Sequence, residues 1–411
     1  MTTLTPQDPT PATATTTATA AGQAPGLSRS TRGLRTGLAT DPTHRSVVPP
    51  IHLSTNYAFD GLDGRGTYDY SRSGNPTRDL LGEALATLED GAEAVVTATG
   101  MGAVTLVLNT FVPNGGRVVA PHDCYGGTWR LLSWLAGKGA LQVDFVDLTN
   151  EASARGALAE PADLVLVETP SNPLLRVTDL ALVSELAHQA GALLVADNTF
   201  CSPALQRPLQ LGADLVVHST TKFINGHSDV VGGVAVARTA EHGGLLRQWA
   251  NCLGVTGGAL DSYLVLRGLR TLDARMRVHQ ENTAAVLELL SSHPAVARVH
   301  HPSLPEHPGH ELAARQQVGG FGSLLSFELA TGLPGVTAFA DGLRCLLLAE
   351  SLGGIESLVC HPASMTHASM PPQVQAAAGI SEGLVRMSVG IEGTEDIVAD
   401  LRDGLDRAAR G

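Results

Sequence analysis

The sequence predicts an α/β protein with a large, mixed but mostly parallel sheet domain followed by a smaller C-terminal α/β domain. From about residue 90, short β-branched runs alternate with helical patterns, which is typical of βαβ units. Beyond about residue 277, strand-like segments alternate apolar and polar residues, as half-exposed antiparallel strands do. A length of 411 residues leaves room for two or three domains.

The first predicted elements lie in residues 94–112, which carry no charge. Threonines, glycines and an asparagine interrupt the segment, so we expect a buried strand, a turn and a helix rather than a membrane span. Gly100-Met101-Gly102 falls at the expected helix start, where backbone amides can hold a phosphate. A dinucleotide fingerprint is excluded because Thr105 stands at the position of its third glycine.

The next three predicted strands each end in a polar cluster. They cover residues 163–168, 192–197 and 213–218, and a helix over residues 180–189, closed by Gly191, lies between the first two. The clusters are residues 168–172, 197–199 and 219–222. Because ligands of open parallel sheets bind at the carboxyl ends of the strands, these clusters should meet at one site.

The C-terminal region is predicted to contain a long helix over residues 280–290 and strands at residues 324–329 and 384–389. We divide the chain into residues 1–30, 31–75, 76–277 and 278–411. The first segment is rich in Thr, Ala and Pro and is expected to be a disordered tail, and the last two are the larger and smaller domains.

Composition excludes several classes of function. The net charge of −13 and the pI near 5.5 argue against a nucleic-acid partner. No segment has the composition of a membrane span. The five cysteines contain no CxxC pair, which argues against a metal site and indicates a reducing compartment, so we expect a cytoplasmic protein.

Lysine chemistry has two candidates, Lys138 and Lys222, because all other positive charges are arginine. Lys138 stands between two glycines and is expected at a surface turn. Lys222 follows a buried strand beside the hydroxyls of Ser219 and Thr221, a setting that suits a Schiff base with pyridoxal phosphate. The alternative is an ordinary lysine that opens a loop.

Three other residues could serve the same cofactor. Asp197 could compensate a protonated pyridine nitrogen, or it could cap a helix. Tyr125 could stack on a ring, or it could serve packing alone. Arg386 could bind a substrate carboxylate through two hydrogen bonds, or it could form a surface salt bridge.

These residues belong to blocks that resemble a known family. Residues 218–229, HSTTKFINGHSD, resemble the lysine signature of the Cys/Met-metabolism enzymes that use pyridoxal phosphate, which have the aspartate-aminotransferase-like fold (PLP fold type I). Similar blocks occur, in the family's order, at residues 70–77, 168–173, 195–199 and 349–354. The similarity runs from about Thr31 to the C-terminus.

The resemblance implies roles for the cofactor site. Lys222 would hold the cofactor and transfer protons, Asp197 would pair with the pyridine nitrogen, and Tyr125 would stack on the ring. Contacts to the cofactor phosphate are implied for Gly100, Met101, Ser219 and Thr221, completed by Tyr70 and Arg72 of a neighbouring subunit. Residues 31–75 would therefore be an arm that reaches that subunit, and the family is usually a homotetramer.

The resemblance also implies an amino-acid substrate. Arg386, Ser351 and Asn172 would hold its α-carboxylate, with Asn172 close to the cofactor as well, and Arg130 and Glu350 would address the distal ends of the two substrates. The expected reaction is a γ-replacement that joins O-succinylhomoserine and L-cysteine to give L-cystathionine and succinate. Alternatives are other acyl donors, γ-elimination of cystathionine to cysteine, 2-oxobutanoate and ammonia, and a non-catalytic binding protein on the same scaffold.

Overall fold

The computed structural model describes residues 26–368 and 370–410. Most of the predicted tail lies outside these residues. Helix α1 (Arg29–Arg35) begins within it, capped by the side chain of Ser28. The Arg29 guanidinium donates to the carbonyl oxygens of Leu88 and Pro203, and these bonds fasten the helix to the larger domain.

The remaining elements alternate along most of the chain. The strands are β1 (Glu93–Thr97), β2 (Gly116–Pro121), β3 (Leu141–Val146), β4 (Leu164–Glu168), β5 (Leu193–Asp197), β6 (Leu215–Ser219), β7 (Gly233–Ala237), β8 (Val296–His300), β9 (Leu324–Leu329), β10 (Leu347–Leu348), β11 (Leu358–Cys360) and β12 (Leu384–Ser388). The other helices are α2 (Pro76–Glu89), α3 (Gly100–Phe111), α4 (Gly126–Gly137), α5 (Glu151–Ala157), α6 (Leu180–Gln189), α7 (Ser202–Leu205), α8 (Ala240–Leu253), α9 (Ala259–Leu269), α10 (Leu272–Ser292), α11 (His310–Gln316), α12 (Gly332–Ala340), α13 (Pro372–Ala378) and α14 (Thr394–Arg410), with a 3-10 helix at Pro208–Leu211.

The larger sheet has the strand order β1-β7-β6-β5-β4-β2-β3. The strands from β6 to β3 are parallel, whereas β7 runs antiparallel to both of its neighbours. Successive residues of β4 enter different cores, Leu164 and Leu166 on one face and Val165 and Val167 on the other. This burial on both faces explains why the strands are continuous apolar runs in the sequence.

The predicted elements of the larger domain are confirmed. Strands β4, β5 and β6 fall within two residues of the predicted bounds, and α6 matches residues 180–189. Gly191 follows α6 with φ +78°, a left-handed conformation that glycine adopts without strain. Residues 94–112 form β1, a turn and α3. No helix among residues 26–368 and 370–410 is long and apolar enough to cross a membrane.

The smaller sheet has the order β10-β11-β12-β9-β8 and is antiparallel except between β10 and β11. The prediction that β9 and β12 are half-exposed is wrong, because every residue of β12 and all but one of β9 are buried. One face packs in an apolar core with α10, α12 and α14. The other meets the larger domain, where the Ser326 hydroxyl donates to the Pro173 carbonyl at 2.7 Å.

Helix α10 joins the two sheets. Its first turns place Leu272 and Met276 in a core of the larger sheet, and its last turns place Val286 and Leu290 in the core of the smaller one. The predicted helix at residues 280–290 is the second half of this longer helix. The predicted domain boundary at residues 277 and 278 therefore lies inside one continuous helix.

Candidate active site

The polar clusters after β4, β5 and β6 meet at one cavity of about 320 Å³. Loops that precede α3 and α4 and the segment after β10 complete its walls. Eleven of the residues expected at the site line it: Gly100, Met101, Tyr125, Asn172, Asp197, Ser219, Thr221, Lys222, Glu350, Ser351 and Arg386. The expected convergence at the carboxyl ends of the strands is therefore observed.

Lys222 lies in the turn that follows β6, and its ammonium nitrogen is 2.8 Å from the Ser351 hydroxyl oxygen. Burial, followed by the positive charge of Arg386, lowers the pKa of Lys222 from 10.5 to about 8. Lys138, by contrast, is exposed after the last turn of α4. Of the two lysines, Lys222 is thus the one placed and tuned as a reactive amine.

Asp197 ends β5 and faces the cavity. The backbone N–H of Thr199 donates to its Oδ1 at 3.0 Å. Burial raises the pKa of Asp197, and the hydrogen bonds from Thr199 act in the opposite direction. The carboxylate does not cap a helix, since the next one begins at Ser202 and its cap residue is Cys201. A cationic group in the cavity would offset the cost of this half-buried charge.

The start of α3 forms a cradle beside Ser219. The Thr99 side chain caps the helix by accepting from the Gly102 N–H at 2.8 Å. A Cβ added at Gly100 would lie 2.7 Å from the Ser219 Cβ, so only glycine permits this approach of helix and strand. The Thr221 hydroxyl accepts from the Gly232 N–H at 3.0 Å, which fixes the loop before Lys222. A helix start with closely packed hydroxyl groups suits a phosphate.

Arg386 is buried, with 3% of its surface exposed, so its interpretation as a surface salt bridge is wrong. Its guanidinium donates to the Asn172 side-chain oxygen at 3.0 Å and to the Ser351 carbonyl oxygen at 2.9 Å. These bonds leave further N–H donors on the guanidinium and aim its charge at the cavity. The arrangement suits recognition of a carboxylate.

Three expected site residues lie outside the cavity in this chain. Tyr70 is 49% exposed. Arg72 donates to the carbonyl and side-chain oxygens of Asn251, at 2.8 and 2.7 Å. Arg130 lies on the exposed side of α4, 6.0 Å from the Trp134 ring.

Two of the cavity-wall residues without a role assigned from the sequence make hydrogen bonds to the backbone of site residues. Glu168 and Thr199 both lie in the predicted polar clusters, but nothing in the sequence reveals their partners. The Thr199 hydroxyl accepts from the Ser219 N–H at 2.9 Å, and Glu168 accepts from two backbone N–H groups. Their position at the carboxyl ends of β4 and β5 was the sequence feature that could have identified them.

The residues present fit pyridoxal phosphate. The cavity brings together an amine of lowered pKa, a half-buried carboxylate that faces the cavity, and a glycine-lined helix start beside serine and threonine. These groups match the cofactor's aldehyde, ring nitrogen and phosphate. In the described part of the chain, no group of three or more His, Cys, Asp or Glu could hold a metal ion. Fold and site together define a pyridoxal-phosphate-dependent enzyme of fold type I.

Comparison with known proteins gives the family. The model of the Cys/Met metabolism PLP-dependent enzymes matches residues 30–406, and this chain belongs to that family. It is 55% identical to cystathionine gamma-synthase of Escherichia coli strain K12, over 93% of this chain and 99% of that protein. It is 41% identical to cystathionine gamma-lyase of Dictyostelium discoideum, over 92% and 97%.

The fold is also that of solved members of the family. The crystal structure of cystathionine gamma synthase from Xanthomonas oryzae pv. oryzae, in complex with aminoacrylate and cysteine, superposes with a TM-score of 0.92. It is 59% identical, and the alignment covers 93% of this chain and 99% of that one. The family therefore includes synthases and lyases with closely similar sequences.

Proposed function

We propose that this enzyme catalyses γ-replacement, joining O-succinylhomoserine and L-cysteine to give L-cystathionine and succinate. The observation that carries the proposal is the buried Arg386 guanidinium, which shares one cavity with the Lys222 amine. The guanidinium suits the α-carboxylate of O-succinylhomoserine, and Arg130 would supply the positive charge for its second carboxylate. The 55% identity to a cystathionine gamma-synthase supports the same choice.

The residues that would hold the cofactor are those of the cavity. Lys222 would bind its aldehyde carbon, Asp197 its ring nitrogen and Tyr125 its ring face. The phosphate would be held by Gly100, Met101, Ser219 and Thr221. When bound, pyridoxal phosphate supplies an aldehyde that condenses with amines and a ring that withdraws electrons from the substrate Cα.

Lys222 would also move protons. Once the substrate amine takes its place, the free Lys222 amine would accept a proton from Cα and transfer protons at Cβ. With a pKa of about 8, roughly a tenth of this amine is unprotonated at pH 7, several hundred times more than for an ordinary lysine. The hydroxyl of Ser351, 2.8 Å away, would orient the amine between transfers.

Arg386 would orient the substrate. Its bonds to Asn172 and Ser351 fix the plane of the guanidinium, so that the remaining N–H groups can bind the α-carboxylate. A carboxylate held there would keep Cα within reach of Lys222. Glu350 on the cavity wall would bind the amino group of L-cysteine, and Arg130 the distal end of the acyl donor.

The site is proposed to be shared between subunits. Tyr70 and Arg72 lie outside the cavity of their own chain, which supports a role for residues 31–75 as an arm that completes a neighbouring subunit's phosphate site. We propose a homotetramer built from two such dimers, with the cytoplasm as its location.

The test uses the purified, cofactor-loaded enzyme. O-succinylhomoserine is added with and without L-cysteine, and succinate and cystathionine are quantified while the visible spectrum is recorded. Release of succinate with formation of cystathionine only in the presence of both substrates is the expected result. Lys222→Ala should abolish turnover, and Lys138→Ala, at an exposed turn, should not. Substantial synthesis by Lys222→Ala would contradict the assignment of the amine.

The second candidate is γ-elimination of cystathionine. It is favoured by the 41% identity to a cystathionine gamma-lyase and by the fact that the same cavity residues would serve it. An enzyme that ignores O-succinylhomoserine but releases cysteine and 2-oxobutanoate from cystathionine would establish this activity instead.

A further inference from the structure

Glu168, the last residue of β4, connects two loops that carry residues of the site. Its Oε2 accepts a hydrogen bond from the backbone N–H of Tyr125 at 2.9 Å. Its Oε1 accepts from the backbone N–H of Asn172 at 3.0 Å. Only 7% of Glu168 and 3% of Asn172 is exposed, so the hydrogen bond between them is shielded from water.

Both hydrogen-bond partners of Glu168 belong to, or contact, residues that are proposed to bind the ligands. Tyr125 stands at the start of α4, so Glu168 holds the backbone from which the Tyr125 ring projects. The Asn172 side chain accepts from Arg386 at 3.0 Å. A continuous series of contacts thus runs from Tyr125 through Glu168 and Asn172 to Arg386.

A carboxylate suits this position because two N–H donors converge on it. Glutamine, which has nearly the same shape, offers one acceptor oxygen, so one of the two donors would face an NH₂ group. The carboxylate is costly to keep there: burial and the adjacent Asp197, its register partner in the sheet, both raise the pKa of Glu168. The hydrogen bonds from the Tyr125 and Asn172 backbone N–H groups lower the pKa and so favour the ionised form that can accept both.

The same two loops are also joined by hydrogen bonds among residues that do not line the cavity. The Ser171 hydroxyl donates to the buried carboxylate of Asp123 at 2.6 Å, and Arg176 donates to the same oxygen at 3.3 Å. This link also joins the loop before α4 to the loop after β4. It therefore provides a matched comparison for a purely structural effect.

We propose that Glu168 is a positioning residue that fixes the distance and orientation between Tyr125 and Arg386 across the cavity. It thereby couples placement of the cofactor ring to binding of the substrate carboxylate. The proposal rests on the proposed roles of Tyr125 and Arg386. It adds one residue whose effect reaches both ligands through backbone hydrogen bonds.

The test compares Glu168→Gln with Ser171→Ala in the full-length enzyme. For Glu168→Gln we expect an increase of about tenfold in the cofactor dissociation constant of the apoenzyme, a shift in the absorbance of the bound cofactor, and an increase of about tenfold in the KM of the amino-acid substrate. Ser171→Ala should lower the melting temperature and leave these three quantities within about twofold of wild type. A Glu168→Gln variant that loses thermal stability alone would overturn the proposal.

A double-mutant cycle tests the route through Asn172. If Glu168 acts on Arg386 through Asn172, Glu168→Gln should raise KM less than twofold in an Asn172→Ala background. Fully additive increases would overturn that route. If wild type acts on cystathionine rather than O-succinylhomoserine, the cycle is run with cystathionine; the proposed function then fails, whereas the cofactor dissociation constant still decides the role of Glu168.

Discussion

Ser351 binds Lys222 and Arg386 at the same time. Its hydroxyl oxygen is 2.8 Å from the Lys222 nitrogen, and its carbonyl oxygen accepts from Arg386 at 2.9 Å. It does so with φ +94°, a region that residues other than glycine rarely adopt. Such a conformation persists where surrounding contacts enforce it, and here it holds the amine and the guanidinium on one wall of the cavity.

The lowered pKa of Lys222 predicts how the cofactor attaches. Because the unprotonated amine attacks the aldehyde, the initial rate of attachment to the apoenzyme should rise with pH to a midpoint near 8. Borohydride trapping followed by peptide mapping measures this rate at each pH. Labelling of Lys138, which is exposed and lies outside the cavity, is the internal control. A Lys222 rate that still rises steeply at pH 10 would contradict the prediction.

The buried guanidinium of Arg386 predicts a graded loss of substrate binding. Arg386→Ala should raise the KM of the amino-acid substrate about 10- to 100-fold, since hydrogen bonds to charged groups contribute about 1.5–3 kcal/mol. Arg386→Lys keeps the charge but not the planar pair of donors, so its KM should lie between those of the wild type and Arg386→Ala. Steady-state kinetics measure both, with Arg402→Ala on the exposed face of α14 as control. An Arg386→Lys variant equal to wild type would argue against a bidentate contact.

Asp197 predicts opposite effects on the apoenzyme and on the loaded enzyme. Its pKa is raised by burial above 3.8, so the unfolded chain loses this proton at lower pH than the folded apoenzyme does. This contribution therefore lowers apoenzyme stability as pH rises from about 3.8 to the folded-state pKa.

Asp197→Asn removes that ionisation. At pH 8 the variant apoenzyme should melt no lower than the wild-type apoenzyme, and the cofactor should stabilise it less than it stabilises wild type. Thermal melts at pH 5 and 8, with and without cofactor, measure both effects. Equal stabilisation of the two proteins by the cofactor would show that Asp197 does not pair with the ring nitrogen.

The close contact between α3 and β6 predicts the effect of a single methyl group. Gly100→Ala would place a Cβ 2.7 Å from that of Ser219, so α3 must shift and the cofactor dissociation constant should rise about tenfold or more. Gly137→Ala, at the last residue of α4 with no atom within 4 Å of the new Cβ, is the matched control. It should leave cofactor binding unchanged and stabilise the helix by up to about 1 kcal/mol. If Gly100→Ala binds the cofactor as tightly as the wild type, the start of α3 does not hold the cofactor phosphate.

The sequence predicted best those elements whose structure depends on residues close to one another along the chain. Apolar runs located β4, β5 and β6, and the polar residues after them located the cavity. Sequence reasoning did not foresee that β7 lies between β1 and β6, because strand pairing over more than a hundred residues leaves no local pattern. The burial of β12 was missed for a similar reason: a second layer covers the face that carries Arg386.

The sequence identified most residues of the site but few of the contacts between them. Lys222, Asp197 and Arg386 could be singled out because a lysine, a carboxylate and an arginine are chemically distinctive. Glu168 could not, since its importance lies in two backbone N–H groups that only the folded chain brings to it. Tyr70 and Arg72 lie outside their own cavity, and one chain cannot reveal which site they serve.

The position of β7 also orders events during synthesis. Strand β1 and the helix that begins at Gly100 leave the ribosome early, yet they join the sheet through a strand that ends at Ala237. More than half of the chain must therefore be synthesised before Gly100 can pack against Ser219, and a still longer part before Arg386 is present. The proposed cofactor contacts, from Gly100 to Lys222, can therefore all be present only after more than half of the chain has been synthesised.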